Sequence, residues 1–139
     1  MASILIVDDD WDLAEMLGEL LRENGLEVRT AHDGREGLKL VEERLPDLIL
    51  LDVEMPVLGG PEMSYRMLVH DAGEERVPIV LVSGVPDLFK VAELVGTPYY
   101  LRKPYDLDRI STLVSQALVE RTPPVPKLSP TGGLTAPRR

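Results

Sequence analysis

Residues 4 to 9 read Ile4-Leu5-Ile6-Val7-Asp8-Asp9, four apolar residues followed at once by two carboxylates. A short run that is apolar throughout and rich in β-branched residues suits a strand buried on both faces, as in a parallel sheet covered by helices. The pattern recurs. Leu48-Ile49-Leu50-Leu51 stops at Asp52, Ile79-Val80-Leu81-Val82 stops at Ser83, and Tyr99-Tyr100-Leu101 leads through Arg102 to Lys103. A weaker run near Val28 to Ala31 brings the strands to five. Between them apolar residues return at helical spacing. The first set is Leu13, Met16, Leu17, Leu20 and Leu21, and the second is Leu38, Val41 and Leu45. Met63, Met67 and Leu68 follow Pro61, Leu88, Val91 and Val95 mark a short fourth helix, and Leu107, Ile110, Val114 and Leu118 follow Asp106. Strand and helix in alternation predict βαβ units, hence an α/β fold with a parallel sheet. Asn24-Gly25 supplies a left-handed stop for the first helix, and Pro46 is expected to end the second.

With 139 residues the chain is long enough for one domain with a sizeable core. A net charge of −9 disfavours a nucleic-acid surface, because phosphate backbones reward clustered Lys and Arg. The chain has no cysteine, which excludes disulfides and thiolate metal sites. No apolar stretch approaches the ~18 to 20 residues of a membrane span. Met1-Ala2-Ser3 leads directly into a strand instead of a signal peptide, so no membrane insertion and a cytoplasmic location are expected. Residues 122–139 hold five of the 12 prolines, the pair Gly132-Gly133 and no acidic residue. Such a segment cannot build a core, and residues 1–121 are expected to fold with 122–139 as a disordered tail.

In an open parallel sheet the ligand site lies outside the carboxyl ends of the strands. Asp8, Asp9, Asp52, Ser83 and Lys103 would all arrive there. Neighbouring carboxylates repel one another, and a hard divalent cation such as Mg²⁺ (or Mn²⁺) reconciles them while also binding phosphate oxygens. Asp9 and Asp52 are candidate direct ligands. Lys103 offers a compact positive charge and Ser83 a hydroxyl, both suited to phosphoryl oxygens. Asp52 is then a candidate nucleophile, forming an aspartyl phosphate. Taken singly, each residue has a plain structural reading as a helix cap or turn former. Their joint placement carries the chemistry.

The chain resembles the receiver domain of two-component response regulators, in particular the stand-alone chemotaxis-regulator kind. The likeness covers residues 3 to about 121. It rests on Ile6-Val7-Asp8-Asp9, on Leu50-Leu51-Asp52-Val53-Glu54-Met55-Pro56 with Gly60, on Val82-Ser83-Gly84 and on Tyr100-Leu101-Arg102-Lys103-Pro104-Tyr105. The resemblance implies a flavodoxin-like (βα)5 three-layer sandwich with strand order 2-1-3-4-5. It implies Mg²⁺ held by Asp9, Asp52 and the backbone carbonyl of Glu54, with Asp8 acting through metal-bound water. It further implies phosphorylation of Asp52 by a histidine kinase or phosphotransfer protein. Ser83 and Tyr100 would serve as switch residues, and a downstream protein would read the face of helix 4, strand 5 and helix 5. Glu54 and Val85, each two residues beyond a site residue, would tune the phosphoryl lifetime, and Lys103-Pro104 is often cis in the family. Such a chain is a signalling switch and not an enzyme acting on other substrates. It departs from the pattern between Ser83 and Gly96, which is about two residues shorter.

Two other functions fit less well. A constitutive scaffold with an unused switch would share the fold. An aspartyl-phosphate phosphatase would place its nucleophile after the first strand with an acid two residues on, whereas here Asp52 follows the third.

Overall fold

The computed structural model describes residues 1–52 and 63–127. Its ten elements alternate strictly. They are β1 (Ser3–Val7), α1 (Trp11–Glu23), β2 (Glu27–Ala31), α2 (Gly34–Glu43), β3 (Leu48–Asp52), α3 (Met63–Glu74), β4 (Ile79–Ser83), α4 (Leu88–Val95), β5 (Tyr99–Arg102) and α5 (Leu107–Glu120). The strands pair in parallel in the order β2-β1-β3-β4-β5. The fold is therefore the flavodoxin-like sandwich that the sequence resemblance implied.

Side chains alternate across a strand, and here the two faces fill two separate cores. Leu5, Val7, Ile49, Leu51, Ile79 and Leu81 face α2, α3 and α4. Ile4, Ile6, Leu48, Leu50, Val80 and Val82 face α1 and α5. The three inner strands are buried at every residue, which is why they read as continuous apolar runs. The edge strands β2 and β5 are only partly buried and mix polar residues into the pattern.

Helix starts follow the capping chemistry of the sequence. Asp10, Asp33 and Asp106 each accept the backbone N–H three residues on, from Leu13, Glu36 and Arg109. Gly25 takes φ 86 behind α1, the left-handed conformation that a glycine stop requires.

Several expected core positions prove to be outside. Met16 is 46% and Met67 42% exposed. The buried face of α1 is Ala14, Leu17 and Leu21, and that of α3 is Tyr65, Leu68, Val69 and Ala72. Both methionines sit beside those stripes, about 100° round the helix from the nearest buried residue. Leu45 is exposed because α2 ends at Glu43, before Pro46, with Arg44 already extended. Arg29 closes that end by donating to the carbonyls of Leu40 and Arg44, at 2.9 and 2.6 Å. The expected start of α3 at Pro61 lies outside the described residues.

Disorder from residue 122 onward does not hold for 122–127. Pro124 is buried, and the Val125 and Lys127 N–H groups donate to the carbonyls of Gly96 and Leu94. Backbone hydrogen bonds, which composition cannot report, account for the difference.

Candidate functional site

Parallel register brings the strand ends level. Val7 pairs with Leu51, Asp52 with Val82, and Ser83 with Arg102. Asp52 lies on the face of Leu48 and Leu50, toward α1 and α5, whereas Ser83 shares the opposite face with Ile79 and Leu81. Lys103 then reaches in from the end of β5, its backbone N–H donating to the Ser83 carbonyl at 2.8 Å.

The centre of the site is an ion pair. Lys103 Nζ lies 2.8 Å from Asp52 Oδ2, and the Asp52 side chain is fully buried. Asp8 is buried beside it, with Oδ1 accepting the Asp10 N–H at 2.9 Å. Asp8 Oδ2 and Asp52 Oδ1 have no hydrogen-bond partner among the described residues. Burial disfavours a carboxylate, and it raises Asp52 from a usual 3.8 to about 7. Lys103 opposes that rise, while the Asp8 charge adds to it. Asp8 is also held above its usual value by burial, against the pull of the Asp10 N–H, Asp52 and Lys103. Two acids beside one cation thus compete for a single compensating charge.

The other expected residues are placed as follows. Ser83 is fully buried, and its Oγ accepts the Val85 N–H at 3.2 Å. Val85 packs at the margin of the α2–α4 core and is not a solvent-facing side chain. Asp9 is exposed, and among the described residues no three acidic or histidine side chains converge as a ready metal cage. Glu54 lies outside the described residues. Tyr100 is 44% exposed on the edge strand, beside an open groove of about 350 Å³ lined by Leu101, Arg109, Thr112 and Leu113. The Lys103-Pro104 peptide is cis.

Two features escaped the sequence reading. Tyr105 is half-buried, with an Oη that has no hydrogen-bond partner among the described residues. Burial, followed by Asp52, pushes its hydroxyl up to about 12, against Lys103. Its place two residues after Lys103 was the available signal. The second is a stack of Trp11 on His32, with centroids 3.3 Å apart and planes 15° apart. Since Val7 and Ala31 are register partners, whatever follows β1 must meet whatever follows β2. That inference needed the register of β1 against β2, which the strand order alone does not give.

Residues 4–115 match the sequence model of the response regulator receiver domain. Sporulation initiation phosphotransferase F of Bacillus subtilis is 34% identical over 115 residues, covering 83% of this chain and 92% of that protein. Protein Rrf1 of Nitratidesulfovibrio vulgaris is 34% identical over 137 residues, covering 98% and 96%. The regulatory protein AtoC of Escherichia coli is 33% identical over 117 residues, which are 83% of this chain, and the chain spans 25% of its length. Among solved structures, chemotaxis protein CheY4 of Vibrio cholerae superposes with a TM-score of 0.70 and 28% identity, over 84% of this chain and 98% of that one.

Proposed function

Because this chain belongs to the response regulator receiver family of two-component systems, we propose that Asp52 accepts a phosphoryl group from a partner's phosphohistidine and that the change alters which proteins the chain binds. The observation that carries the reading is the buried Asp52 carboxylate with Lys103 Nζ at 2.8 Å and Asp8 beside it. A carboxylate oxygen of Asp52 attacks phosphorus in line. The new P–O bond forms as the P–N bond to the donor imidazole breaks, and the electron pair leaves on the ring nitrogen, which then takes a proton. Lys103 balances charge on the phosphoryl oxygens in a site where burial strengthens that interaction. Ser83 Oγ, which accepts the Val85 N–H, turns its own hydrogen toward a phosphoryl oxygen.

The donor set fits a hard divalent cation. Asp8 Oδ2 and Asp52 Oδ1 are buried carboxylate oxygens with no hydrogen-bond partner among the described residues, and a cation would satisfy both. Asp8, Asp9, Asp52 and the backbone carbonyl of Glu54 would hold Mg²⁺ or Mn²⁺, which when bound neutralises acidic and phosphoryl oxygens together. Output passes to a downstream protein across α4, β5 and α5, where Tyr100 is exposed. Val85 and Glu54 adjust how long the phosphoryl group persists. The chain catalyses its own phosphorylation and dephosphorylation, and no other substrate is proposed.

Incubation with Mg²⁺ and acetyl phosphate is expected to add one phosphoryl mass to the wild type and none to Asp52→Asn. An unmodified wild type sinks the reading.

A further inference from the structure

The segment that follows α5 is held at three levels. Arg121 takes a left-handed turn at φ 55. The Thr122 N–H then donates to Tyr99 Oη at 3.3 Å, while that hydroxyl donates to Glu120 Oε1 at 2.9 Å. Beyond it, Val125 N–H reaches the Gly96 carbonyl at 3.0 Å and Lys127 N–H the Leu94 carbonyl at 2.9 Å. Carbonyls at the end of a helix lack partners within it, so these donors complete the end of α4. The order Pro124-Val125-Pro126-Lys127 suits the task. Prolines have no amide hydrogen and occupy the positions where none is used, while the two residues that own one both use it.

The receiving surface is shaped for backbone. A Cβ on Gly96, which has φ 76, would lie 2.0 Å from the Val125 oxygen. A Cβ on Gly73 in α3 would lie 2.8 Å from the Pro124 oxygen. Glycine inside a helix costs about 1 kcal/mol relative to alanine, so Gly73 calls for a packing reason, and the segment supplies one. The 137-residue alignment with Rrf1 necessarily runs past Arg121 into this segment.

Resting on the proposed phosphorylation of Asp52, we propose that residues 122–127 are an intramolecular ligand of the surface between the ends of α3 and α4, a latch whose grip on α4 changes when Asp52 is phosphorylated. The connection is short. Ser83 accepts the Val85 N–H, residues 84–87 lead into α4, and α4 is a rod of eight residues, about 12 Å long. One end of that rod hangs from Ser83, and the other is capped by Val125 and Lys127. A shift of Ser83 toward a phosphoryl group pulls the near end, and a helix of two turns passes the displacement on as a rigid body.

Amide hydrogen exchange on the full chain tests this, read at Val125 and Lys127 in Mg²⁺ with and without acetyl phosphate, with phosphoryl occupancy measured by intact mass on the same samples. Both amides are expected to be protected before phosphorylation, independently of protein concentration. Their exchange is expected to change by about tenfold on phosphorylation of the wild type and not in Asp52→Asn. Gly73→Ala is expected to unprotect both amides while the amides of the β-sheet stay protected, because alanine favours the helix and only the latch is blocked. By linkage, Gly73→Ala must also alter the affinity for beryllofluoride, a phosphoryl mimic, by the factor by which that mimic shifts the latch. A wild type that gains phosphoryl mass with unchanged exchange overturns the latch and leaves the site reading intact. Failure to gain mass overturns the site reading itself. Amides unprotected in the starting state, or protected only at high protein concentration, overturn the intrachain contact.

Discussion

The two ends of the sheet treat buried polar groups in opposite ways. At the amino end, Thr97 donates to the Ile79 carbonyl at 2.6 Å and accepts the Tyr99 N–H at 3.1 Å. Tyr99 Oη sits between Glu120 and Thr122, and Asp47 accepts the Ser3 N–H and pairs with Arg121. Ser3 Oγ is the exception there. At the carboxyl end, Asp8, Asp52 and Tyr105 all keep buried oxygens with no hydrogen-bond partner among the described residues. Unmade hydrogen bonds in a buried site are costly, and a fold retains them where a ligand completes them. One end of the sheet closes its polar groups on one another, and the other, on the proposed function, leaves them to a ligand.

Substitutions at each end put that contrast at risk. Lys103→Met leaves Asp52 buried with no cation beside it, and phosphoryl incorporation from acetyl phosphate is expected to slow by about 10²- to 10³-fold. A rate within a few-fold of wild type would show that Lys103 only fills space. At the opposite end, Thr97→Val keeps the volume but removes the hydroxyl that bonds both the Ile79 carbonyl and the Tyr99 N–H, leaving them only the β4–β5 ladder. Urea unfolding is expected to show a loss of about 1 to 3 kcal/mol, with phosphoryl incorporation by the folded fraction unchanged.

The pH dependence sharpens the same distinction. In the cation-free protein Asp52 titrates near 7 against a usual 3.8, so across that interval the folded chain holds a proton that the unfolded chain has released. Its contribution is fully present below about 3.8 and is lost as pH rises through about 7. Asp8, also raised, adds a contribution of the same sign. Thermal unfolding in chelator should therefore fall over this range, and Asp52→Asn should flatten the fall. Stability that rises from pH 4 to 7 in chelator would contradict the placement of both acids. The smallest effect is expected for Tyr105→Phe. Its hydroxyl has no hydrogen-bond partner to lose among the described residues, so cation-free stability should stay within about 0.5 kcal/mol of wild type or rise.

Much of the sheet could be read along the chain, because strands buried on both faces must be apolar throughout and each of the inner runs stops where the sheet stops. The polar residues at those stops therefore fell together once the strands were laid side by side. Helix faces were less legible. Met16, Met67 and Leu45 are apolar enough for a core, and only the rotation or length of each helix decides that they face out. The Trp11–His32 stack depends on the register of β1 against β2, a relation between distant residues that strand order alone does not fix. The seating of Val125 and Lys127 depends on backbone amides, which every residue but proline has, so residue type alone could not reveal it.

A parallel sheet of five strands ends in two open edges, and both are poor templates for a sixth. Along β2, Glu27 is paired with Arg44, and Arg29 is turned back onto the carbonyls at the end of α2. On the far side, β5 offers four residues, Tyr99–Arg102, before Pro104 removes an amide hydrogen from the line. Charged, short or proline-broken edges discourage strand addition between molecules. A second sheet approaching either edge would meet charge on one side and only four residues of strand on the other, so neither edge invites the sheets of two molecules to join.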